Sequence, residues 1–328
     1  MSKRVGISGA GYIVPFHIRG WQQVGVDIIA IADPDKDRAS ARAAEFGIPN
    51  VYGSLEEMLA TEQLDILDVA SPRQLHVAQA KAGVALGLAV MCQKPVAPTL
   101  AEAQELAGVV EPDSRLMIHE NWRFRREYRT IGSWIEAGHL GDIRHAAITM
   151  RTSAMLPDNK GIRPVERRQP FMLTEPRLLM AEVLIHNIDA MRSLIGDMEL
   201  LHASARRALP DIVGETSASL LLQSASGFPV AISGDMASFG APPGATDEIE
   251  IIGSMGRAVY RDETITLHGS KQEVIDNSGR DHLADCAART IAHFVSCLDS
   301  GEEFETNLHD NLKTLELVEQ AYTAANAG

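Results

Sequence analysis

Apolar residues follow two different rhythms along this chain. Through the first third they come as short, mostly apolar runs, at residues 5–8, 27–32, 64–70, 89–92 and 116–118, with a shorter one at Val51-Tyr52. Runs of that length bounded by turn residues mark strands buried on both faces. Between them lie segments with helical spacing at 15–24, 36–46 and 74–86, with two more opening after Ser54 and Thr99. Pro15 is tolerated in a first turn. Gly47 suits a helix end, and Thr99 with Glu102 makes a capping box. Strands alternating with helices predict βαβ units and a parallel sheet covered on both sides.

The rhythm changes after residue 122. Strand-like segments at 146–152, 218–223, 229–233, 248–252 and 258–261 follow one another around glycine-bearing turns such as Ser226-Gly227-Phe228 and Gly253-Ser254-Met255-Gly256. This pattern predicts a largely antiparallel sheet. Helices over 285–300 and 307–326 close the chain, and the polar stretch 156–176, rich in Pro and Arg, reads as an insertion loop. The fold class expected is α/β: a doubly wound parallel sheet over 1–122, then an α+β domain over 123–328 with an open sheet. The last helix is expected to pack back on the first domain. A length of 328 residues fits this division, because single cores stop growing below that size.

Composition narrows the function classes. A formal charge of −14 repels the phosphates of nucleic acid and of anionic membranes. No run approaches the ~20 apolar residues that span a bilayer, and the segment after Met1-Ser2-Lys3-Arg4 is too short for a signal peptide. Cys92, Cys286 and Cys297 form no CxxC pair and no even set. They read as reduced thiols of a cytoplasmic protein, without a disulfide framework or a zinc site.

Candidate chemistry begins at Gly9-Ala10-Gly11, between the first strand and the first helix. There one glycine allows the tight turn, and the next lets a pyrophosphate approach the helix N-terminus. Val14 stands where a third small residue is usual, which loosens helix-to-strand packing slightly. Asp33 ends the second strand, where a carboxylate accepts hydrogen bonds from a ribose diol and repels a 2′-phosphate. NAD is therefore favoured over NADP. Lys94 ends another strand of the same sheet, at the edge where such folds bind ligands. Its ammonium can stabilise a developing alkoxide.

In the second half, Glu182, His186 and Asp189 are spaced four and three apart in an otherwise apolar helix expected over 176–195. Residues so spaced share a face. Ionisable groups on a buried helix must be paired or face a cleft, and imidazole titrates in the range that suits a general base. Glu182 and His186 also have ligand spacing for a metal, but nearby residues do not complete a set, and no metal is expected. Arg123, Arg125, Arg126 and Arg129 read mostly as solvated faces or interface pairs. Arg163, Arg167, Arg168 and Arg177 form a basic loop able to grip a carboxylate.

Together these features resemble the glucose–fructose oxidoreductase/inositol dehydrogenase/MocA family over essentially the whole chain. The resemblance is carried by Gly9-Ala10-Gly11-Tyr12-Ile13 with His17, Ala32-Asp33-Pro34, Ala70-Ser71-Pro72 with His76, and Gln93-Lys94-Pro95. It continues through Asn121-Trp122-Arg123-Phe124, Glu182 with His186 and Asp189, and Phe304-Glu305-Thr306. It implies an N-terminal Rossmann domain and a C-terminal domain whose open sheet carries substrate and forms a homodimer or homotetramer. It further implies hydride transfer between a nicotinamide cofactor and a sugar, cyclitol or sugar acid.

Carried onto this sequence, the resemblance implies a cofactor site of Gly9, Gly11, Tyr12, Ile13, Asp33, Arg38, Ser71, Pro72, His76, Gln93 and Lys94. Lys94 and His186 would react, and Glu182, Asn121, Arg123 and Asp189 would meet substrate. Three departures stand out: Gln93 replaces the usual glutamate before the lysine, Glu182 replaces an aspartate, and Arg177-Leu178-Leu179-Met180 replaces a glycine cluster. Two other outcomes are compatible with the same resemblance. One is glycoside hydrolysis or elimination with a retained NAD that cycles internally. The other is a non-catalytic NAD(H)-binding regulator.

Overall fold

The computed structural model describes residues 2–111 and 114–326. It divides into two compact units: 1–124 with 281–312, and 125–280 with 313–328.

In the first unit the apolar runs become β1 (Arg4–Ser8), β2 (Asp27–Ala32), β3 (Asn50–Tyr52), β4 (Ile66–Val69), β5 (Ala89–Gln93) and β6 (Leu116–His119). They pair in parallel in the order β3-β2-β1-β4-β5-β6. The crossovers are α1 (Val14–Gln23), α2 (Lys36–Phe46), α3 (Leu55–Thr61), α4 (His76–Ala85) and α5 (Leu100–Ala107). Val5, Ile7, Ile31, Ile66, Leu67, Val90 and Met91 are wholly buried, as expected where helices cover both faces.

The second unit opens with α6 (Arg126–Glu136) and continues through β7 (Ile143–Arg151), α7 (Pro164–Arg168) and α8 (Ile185–Ile195). Strands β8 (Met198–Arg206), β9 (Ser217–Ser224), β10 (Pro229–Asp235), β11 (Thr246–Gly253), β12 (Gly256–Arg261), β13 (Thr264–Gly269) and β14 (Glu273–Asp276) follow. Their sheet order is β14-β13-β12-β11-β7-β10-β9-β8, antiparallel except where β10 meets β7. Burial alternates along β7, β9 and β11, so only one face, with Ile148, Leu220, Ile232 and Ile251, packs against helices.

Two helices end the chain, α9 (His282–Ser300) and α10 (Leu308–Asn326). Helix α9 belongs to the first unit, packing on α1 where a Cβ on Gly20 would lie 2.6 Å from the Ile291 side chain. Just before α10, Thr306 and Asn307 pair with the backbone of β6, covering an otherwise bare sheet edge. Val14, placed where a smaller residue is usual, is fully buried in this core.

Strands β8, β13 and β14 go beyond the sequence expectation. The β12–β13 hairpin turns at Asp262 and Glu263, both at positive φ (49° and 54°). Such turns are usually signalled by glycine or asparagine, so Asp-Glu concealed this one. The helix expected over 176–195 is not uniformly α: Leu179–Leu184 form a π-helical turn before α8. The presumed insertion loop holds α7 and a 3-10 turn at Pro170–Leu173.

Buried polar bonds hold the second unit together. Asp247 on β11 is 4% exposed. It accepts hydrogen bonds from Tyr128 Oη (2.8 Å), Asn187 Nδ2 (3.0 Å) and Arg125 (3.3 Å), so it ties α6 and α8 to the sheet. Burial raises its pKa despite these partners. Asp247→Ala removes the buried acceptor of the Tyr128 hydroxyl and the Asn187 amide and the nearer carboxylate partner of Arg125. The expected loss is about 3–5 kcal/mol of stability, read from urea unfolding monitored by tryptophan fluorescence.

Candidate active site

The turn after β1 is built for close approach. Gly9 has φ +110°, and a Cβ there would lie 2.5 Å from the Ala70 carbonyl oxygen. Only glycine fits. A Cβ on Gly11 would meet nothing within 4 Å, so open space lies over the loop entering α1. Asp33 is 5% exposed. Its Oδ2 accepts the Ala10 backbone N–H (2.8 Å), while Oδ1 accepts from Asp35 N (2.9 Å) and from Arg38 (2.8 Å). That leaves Oδ2 one acceptor position. The hydrogen bond to Asp33 raises the pKa of the half-exposed Arg38 guanidinium. A glycine that no larger residue can replace, a helix N-terminus and an anchored carboxylate fit a dinucleotide. Tyr12, partly exposed, packs edge-on against Phe16 in the same turn.

The other strand ends meet beside it. His76 lies between two carbonyl oxygens, Ser71 O at 2.8 Å and Pro95 O at 2.7 Å. It thereby ties the Ser71-Pro72 turn after β4 to the Lys94-Pro95 turn after β5. Ser71 Oγ also bonds Gln79 on α4 (2.8 Å).

Gln93 organises the floor of this edge. Its Oε1 accepts the Lys94 backbone N–H (3.0 Å), so its amide NH₂ must face the other way. There it meets His17 Nε2 (2.8 Å) and His119 Nδ1 (3.0 Å). Both ring nitrogens must then accept, which fixes the tautomers. The His17 proton sits on Nδ1 and is donated to Asp68 (2.9 Å), whose Oδ2 also takes Trp21 Nε1–H (2.7 Å). A glutamate at position 93 could not donate, so this hydrogen-bond order belongs to glutamine.

Beyond β6 stands a group that the sequence reading missed. Glu120 is fully buried, and the register Gln93↔His119 puts it level with half-buried Lys94 on the adjoining strand end. Burial pushes its carboxyl up to about 7, opposed by the charges of Lys94 and Arg123 and assisted by Asp310. The available signal was an acidic residue at the carboxyl end of a strand neighbouring Lys94.

Asn121 and Arg123 are both buried in the first unit. Asn121 donates to Cys286 Sγ (3.2 Å). Arg123 binds Asp310 (2.8 Å) and the Glu305 carbonyl (2.8 Å), pinning the start of α10.

The polar stripe lies in the second unit. Glu182 sits in the π turn, and His186 and Asp189 on α8, with exposures of 8%, 8% and 0%. Asp189 accepts from Thr314 Oγ1 (3.2 Å), which also takes Arg192 (2.9 Å). The loop arginines are engaged within their own unit: Arg167 with Asp158, Arg168 with the Pro243 carbonyl, Arg163 with Asp211 and Arg177 with Glu319. Among the described residues, no group of three or more His, Cys, Asp and Glu side chains is arranged to hold a metal ion. No helix among them is long and apolar enough to cross a membrane.

Two family models match the chain. Residues 3–119 match an oxidoreductase family with an NAD-binding Rossmann fold, and residues 128–259 match the GFO/IDH/MocA C-terminal domain. A D-apiose dehydrogenase of Paraburkholderia graminis is 29% identical over 98% of this chain and 87% of its own length. An inositol 2-dehydrogenase of Rhizobium meliloti is 23% identical over 98% of this chain and 96% of its own. Among solved structures, an Agrobacterium radiobacter oxidoreductase in complex with NAD+, L-tartaric acid and magnesium superposes with a TM-score of 0.92. It is 27% identical, covering 99% of this chain and 97% of that one. With a parallel sheet followed by an open, mostly antiparallel one, and with both halves matched by the family's models, this chain belongs to the Gfo/Idh/MocA family of oxidoreductases.

Proposed function

We propose that this protein is an NAD-dependent dehydrogenase that oxidises a hydroxyl of a sugar, cyclitol or sugar acid, with Lys94 and His186 at the reacting centre. The observation that carries this reading is the construction around Lys94. Its backbone is held by Gln93, its turn by His76, and a buried carboxyl, Glu120, stands beside its ammonium. The full-length similarity to apiose and inositol dehydrogenases supports the substrate class.

NAD would be held by Gly9, Gly11, Tyr12 and Ile13 at the phosphates, Asp33 and Arg38 at the adenosine ribose, and Ser71, Pro72, His76 and Gln93 along the sheet edge. When bound, it supplies the acceptor for a hydride. The Lys94 ammonium grips the substrate oxygen and stabilises negative charge as it develops. His186 accepts the hydroxyl proton, and Glu182 orients the substrate through hydrogen bonds to neighbouring hydroxyls. Glu120, whose carboxyl is pushed up by burial and drawn back down by the Lys94 charge, is the acidic neighbour of that ammonium. The remaining acceptor position of Asp33 suits a ribose hydroxyl, and its charge disfavours a 2′-phosphate.

A fluorescence screen for NADH or NADPH against monosaccharides including D-apiose, inositols and aldonates tests the activity directly. NAD-linked turnover of at least one compound, faster than with NADP, is expected. Absence of reduced cofactor across the panel would overturn the reading.

Lys94→Ala is expected to lower kcat by about a thousandfold while NAD binding, followed by calorimetry, stays near wild type. Wild-type turnover in this variant would remove Lys94 from the chemistry.

Glu120 makes a pH prediction. Its carboxyl loses a proton near 4.5 when unfolded and near 7 when folded. Between those values the unfolded state binds fewer protons, so stability falls as pH rises through this window, by about 3 kcal/mol. Glu120→Gln is expected to abolish that fall, measured as the difference between urea midpoints at the two ends of the window.

A further inference from the structure

We infer that Glu215 and Tyr322 are positioning residues, which together cap the helix bearing Glu182 and His186 and so hold that pair in its working orientation. The inference rests on the catalytic reading of His186 proposed above.

A helix leaves its first four backbone N–H groups without partners inside it. Here the first bond made within the helix is Glu182 N–H to the Leu178 carbonyl (2.8 Å). The four preceding donors are those of Leu178, Leu179, Met180 and Ala181, and all are satisfied from far along the chain. Leu178 N–H reaches Glu215 Oε2 (3.2 Å) and Met180 N–H reaches Oε1 (2.9 Å). Leu179 N–H reaches the Glu215 backbone carbonyl (3.3 Å). Ala181 N–H reaches Tyr322 Oη (3.3 Å), and that hydroxyl donates to Glu215 Oε1 (2.6 Å). Two residues thus account for every donor, and the carboxylate also suits the positive end of the helix dipole.

The cap is itself held in place. A Cβ on Gly214 would lie 2.5 Å from the Glu175 carbonyl and 2.6 Å from Leu178 Cβ, so glycine is what lets Glu215 reach in. The Arg177 guanidinium lies 4.2 Å from the centre of the Tyr322 ring and pairs with Glu319 at 2.6 Å, one turn back on α10. Burial and the Glu215 carboxylate both raise the pKa of Tyr322, keeping it the donor.

The turn directly under this cap is the π turn Leu179–Leu184, which contains Glu182, whereas His186 follows in regular α-helix. A π turn takes up one extra residue relative to an α-helix, and one residue of register is about 100° of rotation. Relaxation of the uncapped turn to α geometry would therefore change the register between Glu182 and α8, and with it the angle between the Glu182 and His186 side chains.

The test uses the full-length chain with Tyr322→Phe, Glu215→Gln, the double variant and His186→Ala. Hydrogen exchange in the peptide containing residues 178–181 reads the cap, and steady-state kinetics with NAD and the best substrate of the panel read positioning. The cap predicts exchange about tenfold faster in Tyr322→Phe, kcat lower by about tenfold with a higher substrate KM, and unchanged affinity for NAD. It also predicts that the double variant loses little more than the worse single one, because both remove one device. Wild-type protection at these amides, or lost protection with wild-type turnover while His186→Ala is inactive, overturns the inference. Wild-type turnover in His186→Ala would instead overturn the catalytic reading, with the exchange data still deciding whether the cap exists.

Discussion

Buried polar groups must find partners, and in this protein that requirement does much of the work that a motif alone would be credited with. Burying an amide, imidazole or carboxylate without a bond costs a few kcal/mol. Chains of such groups therefore settle into one arrangement. Gln93 shows the logic most fully. Its carbonyl oxygen is claimed by the Lys94 backbone, its amide must then donate to two imidazoles, and the proton on His17 is thereby directed to Asp68. One side chain orders three others and the backbone of the candidate catalytic lysine.

The same requirement shapes the second unit around carboxylates. Asp247 joins two helices to the sheet, and Glu215 gathers the loose donors at the head of the helix that carries Glu182. Neither residue is part of a sequence motif. Each is surrounded by groups drawn from several elements, so replacing one changes several bonds at once.

At the carboxyl edge of the parallel sheet, turns are drawn together by short polar ties. His76 bridges the turns after β4 and β5, and Asp33 bridges the turn after β1 and the start of α2. Preorganisation of this kind lets fixed dipoles act on a reacting group without a cost of rearrangement during the reaction. Glu120 fits the picture as the buried acidic neighbour of Lys94, held in a place where its own ionisation is discouraged.

Much of the architecture was legible in the one-dimensional pattern. Short, mostly apolar runs in the first third became the parallel strands, and the strand-like segments around glycine-bearing turns include those that became β7, β9 and β11. Gly9 and Asp33 were readable because a tight turn and a strand-end carboxylate have few substitutes. The hairpin at Asp262-Glu263 was not, because its turn conformation carries no glycine. The π turn was hidden for a different reason. Residues 179–184 have ordinary helical composition, and their leading N–H donors are taken by Glu215 and Tyr322, which lie far along the chain. Local periodicity and turn chemistry, being short-range, determined the elements, their order and the candidate residues. Which charges are buried together, which tautomers they adopt and how the helix bearing Glu182 and His186 begins were decided by tertiary packing, since each depends on partners that meet only in the folded chain.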